Sequence, residues 1–171
     1  MKRIGFGQVE PNHLSAQRTG QIYAQLPVDK EVESLQILEN GRFVKYNYAE
    51  NKVDLEGKGE WMLVFNEVKL YDTRETYRDF ALMAQYAVEN EIVPRVFKTN
   101  VGDIYTTNCL EKGNTNGKAE LEMADLVAGD ELGINAEGYL EKDADSEIKF
   151  QVVKVYTLAD GQEAVKVMRI A

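Results

Sequence analysis

The pattern of hydrophobic and polar positions along this chain predicts a protein built mostly of short β-strands. Strand-length apolar runs alternate with glycine-rich turns, which is typical of a small β-barrel or β-sandwich. Residues 61–65 are apolar throughout, so we expect a strand that is covered on both faces. Residues 150–158 carry valines on both faces, which places that strand centrally in a sheet. We expect the two runs to share one core, formed by Trp61, Leu63, Phe65, Val153 and Val155.

One short phrase occurs twice in the second half of the chain. Its copies begin at Gly102-Asp103 and at Gly129-Asp130, and each continues as a strand-length run. Glycine accepts a positive φ and aspartate can bond its own backbone, so each pair predicts a turn that leads directly into a strand. Asn40-Gly41 and Asp160-Gly161 predict two further turns.

One stretch departs from the β pattern and predicts an inserted α-helix at about residues 73–90. Asp72 and Glu75 have the spacing of a capping box at its start. Apolar side chains then recur at helical spacing. They are Tyr77, Phe80, Ala81, Ala84 and Val88.

Residues 1–28 show no sustained period of two or 3.6 and contain two of the chain's three prolines. We predict that they form an extended N-terminal arm, followed by a β-rich body over residues 29–171 that folds without the arm. The arm has more large apolar side chains than a free segment would have. It therefore either wraps its own domain or lies on a partner. The residues proposed for contact with a partner are Phe6, Leu14, Arg18, Ile22, Tyr23 and Leu26.

The charge of the chain is negative and unevenly distributed. The net charge is -9 and the pI is about 4.8, which argues against binding to nucleic acid, because phosphate binding relies on a basic surface. Residues 1–30 carry a net charge of +2, so the remainder carries -11. No apolar run approaches the roughly 20 residues that span a bilayer, and the N-terminus lacks the apolar core of a signal peptide. We therefore expect no membrane association and no export by the usual route.

The sequence offers few residues for catalysis or metal binding, and we predict no cofactor. With one cysteine, Cys109, and one histidine, His13, the chain has neither a disulfide framework nor a typical zinc site. His13 lies two residues from Ser15, but in the arm rather than on a scaffold that could hold a catalytic triad. Residues 143–147 place three carboxylates at alternate positions, but they lack the glycine of a calcium loop, so we interpret them as a solvated hairpin tip. We expect Trp61 to be a core or barrel-end residue rather than a ligand-stacking one.

Several phrases together resemble the small auxiliary capsid proteins of tailed bacteriophages, the decoration or head-stabilising proteins. They are residues 17–23 leading to Leu26-Pro27, residues 38–46, residues 98–108, residues 129–138, residues 150–154 and residues 160–166. The resemblance implies a β-rich structural virion protein on the outer surface of the capsid, made in the host cytoplasm, without enzymatic activity. The partner it implies is the major capsid protein, which the protein would bind so as to clamp neighbouring capsomers. Self-association on the capsid lattice is compatible with it.

A function from another class stays open. The chain could be a cytoplasmic β-barrel ligand-binding module or small enzyme, with a pocket between the barrel mouth and the helix expected at residues 73–90. A gene beside that of a major capsid protein favours the virion function. A small molecule retained by the purified protein favours the alternative.

Overall fold

The computed structural model describes residues 7–29, 31, 35, 37–66, 81–83, 93–110, 125–159 and 161–171. Within these residues the chain forms antiparallel sheets of six and four strands, a separate two-stranded pair and one short helix. The prediction of a mainly β protein is therefore confirmed. The described strands do not close into a barrel.

The elements follow one another in short succession. In chain order they are β1 (Val9–His13), α1 (Ser15–Thr19), β2 (Ile37–Glu39), β3 (Phe43–Asn47), β4 (Lys52–Asp54), β5 (Met62–Val64), β6 (Ala81–Met83), β7 (Val96–Phe97), β8 (Ile104–Thr107), β9 (Glu131–Ile134), β10 (Leu140–Lys142), β11 (Lys149–Thr157) and β12 (Glu163–Arg169). The six-stranded sheet has the order β1-β8-β12-β11-β9-β10, and the four-stranded sheet has the order β4-β3-β5-β7. β2 pairs with β6.

The first hydrophobic core is shared by the two larger sheets. Phe43, Leu63 and Phe97 of the four-stranded sheet belong to one buried cluster with Tyr105 and Phe150 of the six-stranded sheet. The Phe150 ring centroid lies 5.6 Å from that of Phe43 and 5.8 Å from that of Tyr105. Tilted and edge-on rings at these distances add attraction to the burial of apolar area. The contacts therefore hold the two sheets together.

A second core lies on the other face of the four-stranded sheet. Its members are Val28, Leu35, Leu38, Val44, Tyr46, Val53, Met62, Val64 and Val96. In β5, Leu63 belongs to the first core while its neighbours Met62 and Val64 belong to the second. The strand is thus covered on both faces, as its continuous apolar run predicted.

The core predicted from the two apolar runs is correct except at one position. Leu63 is fully buried, and Trp61, Phe65 and Val155 pack against the first core, but Val153 is 42% exposed. The pairing of β11 with β12 shifts register just after Val152, which is the signature of a β-bulge. The extra residue turns position 153 outward. The central position of β11, between β12 and β9, is confirmed.

The prediction of a helix at about residues 73–90 is wrong at its centre. Residues 81–83 form strand β6, which pairs antiparallel with β2. The apolar spacing on which the prediction rested does not reveal backbone pairing with a distant strand, and tertiary pairing overrides local propensity. The other residues of that range lie outside the part of the chain that the structure describes. The one described helix, α1, lies instead within the predicted arm.

The predicted glycine turns are confirmed. Gly41, Gly102, Gly129 and Gly161 all have positive φ, between 86° and 101°. The two Gly-Asp phrases lead directly into β8 and β9. The turn at Gly41 joins strands that belong to different sheets, because β2 pairs with β6 whereas β3 pairs with β4 and β5.

Candidate functional site

Residues 7–28, which we call the N-terminal strap, run along the edges of both larger sheets. Their strand β1 is an outer strand of the six-stranded sheet. Tyr23 then forms an antiparallel bridge with Val96 on one edge of the four-stranded sheet, and Val28 forms a parallel bridge with Val53 on its other edge. The strap therefore satisfies backbone groups that edge strands otherwise present to solvent.

Four of the six side chains proposed for partner contact pack inside this protein. Leu14 is 2% exposed and belongs to the first core, against which Ile22 also packs. Tyr23 and Leu26 pack against the second core. At these four positions the arm therefore packs on its own domain, which is the first of the two alternatives that we considered for it.

Arg18 is the proposed contact residue that the structure places at the surface. It lies in the last turn of α1, and its Nη2 is 3.0 Å from Nδ1 of His13. The sixth residue, Phe6, lies outside the described part of the chain. Whether a capsid surface binds any of these side chains stays a prediction.

A buried aspartate of the first Gly-Asp phrase anchors the start of α1. The Oδ1 atom of Asp103 accepts the backbone N–H of Ser15 and its Oδ2 accepts the Ser15 hydroxyl, both at 2.9 Å. Asp103 is only 3% exposed. Ser15 is thus engaged with Asp103, while His13 is engaged with Arg18. The contact joins residues 88 positions apart, so no local sequence pattern could reveal it.

Two further polar side chains hold the strap and were not identified from the sequence. A carboxylate oxygen of Glu39 accepts the backbone N–H of Gly7 at 2.6 Å, and Oδ1 of Asn108 accepts that of Gln8 at 2.7 Å. Glu39 and Asn108 are both buried. A buried hydrogen bond is stronger than an exposed one, and the bond to Glu39 is also charge-assisted, so the two bonds fix the start of the strap.

An open groove of about 870 Å³ lies between parts of the two larger sheets, and we call it the inter-sheet groove. One wall comes from the four-stranded sheet and consists of Lys45 and the loop 57–61. The other wall consists of residues 134–136, residues 145–148 and Arg169. Its volume falls within the range of small-molecule sites, about 300–1,000 Å³.

Two residues that line this groove, Arg169 and Glu60, belong to one polar network. Nη1 of Arg169 lies 2.8 Å from Oε1 of Glu60 and also donates to the backbone carbonyl of Thr99. The second carboxylate oxygen of Glu60 is 3.5 Å from Nζ of Lys98. Glu60 therefore forms ion pairs with two cations, and its pair with Arg169 links the loop before β5 to the six-stranded sheet.

Trp61 packs partly against the first core and also lines the inter-sheet groove. The Lys45 ammonium lies 4.4 Å from the centroid of its ring, within the range of a cation–π contact. The tryptophan therefore combines the core position that we expected with a surface that faces a groove.

The carboxylates at residues 143–147 do not form the tip of a hairpin, and that prediction is wrong. β10 and β11 flank this segment in sequence but are separated in the sheet by β9. The segment instead crosses beside β9, where a Cβ at Gly133 would lie 2.5 Å from the carbonyl oxygen of Ala144. Among the described residues, no group of three or more His, Cys, Asp or Glu side chains is placed to hold a metal ion.

The chain was compared with family models, curated proteins and solved structures. No family model, curated protein or solved structure matches the chain. The helix that the structure describes is too short to cross a membrane. The observations define a mainly β protein of two antiparallel sheets, with a strap along their edges and a groove between them.

Proposed function

We propose that this chain is a structural virion protein that binds the outer surface of a tailed-phage capsid and stabilises the shell by clamping neighbouring capsomers. The resemblance of its sequence phrases to auxiliary capsid proteins supports the proposal. The mainly β body agrees with what that resemblance implies. Its acidic charge suits an outer position, away from packaged DNA.

The observation that carries the proposal is the anchoring of the N-terminal strap. A protein that is crowded on a lattice needs protected sheet edges, because open edges pair with neighbouring copies. The strap protects both edges of the four-stranded sheet through its bridges to Val96 and Val53. It also offers a surface of its own, since Glu10, Pro11, Asn12 and His13 of β1 are exposed.

The capsid contact is assigned to this exposed side of the strap, together with Arg18 on α1. Leu14, Ile22 and Tyr23 hold the strap on the body and are not available to a partner in this arrangement. The strap itself, residues 7–28, is electrically neutral, because Arg18 balances Glu10, whereas the chain as a whole carries a net charge of -9.

Site-specific crosslinking to capsids tests the proposal. The chain has one cysteine, Cys109, which is fully buried, so a cysteine introduced at the surface becomes the accessible thiol. Arg18→Cys labelled with a photocrosslinker should react with the major capsid protein when mixed with undecorated shells. Glu50→Cys is the matched control, because Glu50 is exposed in the turn after β3 and lies outside the strap. Failure of the unmodified protein to sediment with shells would contradict the proposal.

The alternative function, a ligand-binding module, is favoured by the inter-sheet groove. Of the range 73–90 only residues 81–83 belong to the described part of the chain, and they do not line the groove. A small molecule that copurifies with the protein and contacts Trp61 would favour this alternative.

A further inference from the structure

The inter-sheet groove combines an aromatic surface with uncommitted polar side chains, and the strap does not contribute to it. Lys58 on one wall, and Asp145 and Glu147 on the other, are all exposed. None of the three side chains has a hydrogen bond or ion pair to another residue in the described part of the chain. They are therefore available to a ligand in the groove.

The charges that line the groove balance. Lys45, Lys58 and Arg169 are cationic and Glu60, Asp145 and Glu147 are anionic. Arg169 is already paired with Glu60. The groove thus offers no excess of either sign to an ionic ligand, and the net charge of -9 on the whole protein opposes the approach of anions.

The indole of Trp61 supplies an apolar surface of fixed orientation. It packs partly against the first core, and the Lys45 ammonium lies 4.4 Å from its ring centroid. A ring that is already ordered loses little conformational entropy when a ligand contacts it. An apolar surface in one wall and carboxylates in the other suit a ligand that carries both C–H faces and hydroxyl groups.

We propose that the inter-sheet groove binds a neutral oligosaccharide. The C–H groups of a sugar ring contact the indole of Trp61, and its hydroxyl groups donate hydrogen bonds to the carboxylates of Asp145 and Glu147. The Lys58 ammonium donates to a hydroxyl or ring oxygen from the opposite wall. Because the groove is open rather than enclosed, it accepts a segment of a longer chain.

The fluorescence of Trp61 gives a direct test, since this is the only tryptophan in the chain. The full-length protein is titrated with neutral tetra- to hexasaccharides built from glucose, mannose, galactose, xylose or N-acetylglucosamine, and calorimetry is run in parallel. We expect a saturable change in emission with at least one of these probes. Asp145→Ala and Glu147→Ala should each weaken its binding about tenfold or more.

Glu50→Ala provides the matched control. It removes the same charge from an exposed site outside the groove and should leave the affinity unchanged. Circular dichroism of each variant establishes that the fold is retained. The proposal is overturned if no probe binds by either method, if the double variant of Asp145 and Glu147 binds as well as the unmodified protein, or if only anionic oligosaccharides bind. Capsid binding is assigned to the strap, so the outcome of the oligosaccharide test does not depend on whether the protein binds capsids.

Discussion

Polar atoms inside the two-sheet body differ in whether they find partners. The Thr107 hydroxyl accepts the backbone N–H of Cys109 at 2.9 Å, and the Asn108 amide donates to Oε1 of Gln162 at 3.0 Å. The Tyr105 hydroxyl is equally buried but has no hydrogen-bond partner among the described residues. A satisfied buried group stabilises a fold modestly, whereas an unsatisfied one costs about 1–3 kcal/mol.

Tyr105→Phe should therefore leave the free energy of unfolding unchanged or raise it, as measured by urea denaturation at neutral pH. Burial raises the pKa of Tyr105 well above its ordinary value of 10.0. The folded protein thus holds this proton more tightly than the unfolded chain, so stability is present below pH 10.0 and is lost as the pH rises above it. The Phe variant should lose less stability over that alkaline range. Tyr156→Phe is the contrasting control, because its hydroxyl bonds Thr106 at 2.7 Å and should cost about 1 kcal/mol.

Gly41 and Gly102 have the same backbone conformation, so alanine substitutions at the two positions separate the cost of a positive φ from the cost of a steric clash. Gly41 has φ of 93° and Gly102 has φ of 92°. A Cβ at position 41 would lie 2.6 Å from the Thr107 hydroxyl oxygen and 2.7 Å from Cβ of Cys109, whereas one at position 102 would meet nothing within 4 Å. Gly102→Ala should cost about 1–2 kcal/mol for its positive φ alone. Gly41→Ala should lose a further 1–3 kcal/mol or so through overpacking. Equal melting temperatures for the two variants would contradict this account.

At the scale of single elements, the second Gly-Asp turn is tied to an edge strand by an ion pair. Oδ2 of Asp130 lies 2.8 Å from Nζ of Lys142 in β10 and accepts the backbone N–H of Val127 at 3.0 Å. The Lys142 ammonium, followed by the Val127 N–H, lowers the pKa of Asp130 below its ordinary value of 3.8. The aspartate thus links the turn before β9 to the strand beside it.

Asp130→Asn should make stability less sensitive to acid. A carboxyl group whose pKa is lowered by folding contributes stability above the unfolded value, 3.8, and that contribution is lost as the pH falls through the lower folded value. The measurement is the free energy of unfolding from neutral pH down to about pH 2, compared between the variant and the unmodified protein. The two curves should converge as the pH falls. Curves that stay parallel would show that Asp130 does not titrate differently in the two states.

The N-terminal strap is the element whose role the structure changes most. We expected the body to fold without residues 1–28, but β1, Leu14 and Val28 are parts of the sheet and of both cores. A protein that starts at Asp29 should therefore lose its cooperative thermal transition, because deletion exposes core surface and the edges of both sheets. A protein that starts at Gly7 keeps the whole strap, so it is the control and should retain a cooperative transition. A stable, cooperatively melting body without the strap would restore the original expectation.

At the scale of the whole molecule, the shared core makes the two larger sheets one folding unit. The first core takes Phe43, Leu63 and Phe97 from one sheet and Phe150 and Val165 from the other. Neither sheet can leave this interface without exposing large apolar side chains of both. The two sheets are therefore expected to unfold together.

Unfolding in urea, followed by the emission of Trp61 and by far-ultraviolet circular dichroism, should give coincident transitions. Trp61 packs against the shared core and lines the inter-sheet groove, so its emission reports separation of the sheets. Circular dichroism reports the strands themselves. Two midpoints, with the fluorescence change first, would mean that the sheets part before they unfold.

The sequence by itself determined the features that depend on neighbouring residues. The positive φ of Gly102 and Gly129 follows from glycine chemistry, and the strands after them follow from apolar spacing. The burial of β5 on both faces follows from its continuous apolar run. In the groove, the sequence indicated the aromatic character of Trp61 but not the residues that face it.

Only the tertiary structure decided which distant segments meet. Local apolar spacing at residues 81–83 favoured a helix, but pairing with β2 made a strand. The bulge after Val152 turned Val153 outward, although the valines on both faces of this run predicted a buried side chain. After β1, the strap is held by single long-range contacts, such as that between Ser15 and Asp103, 88 residues away. Local sequence carries no record of such contacts, since their free energy arises only when folding brings the partners together.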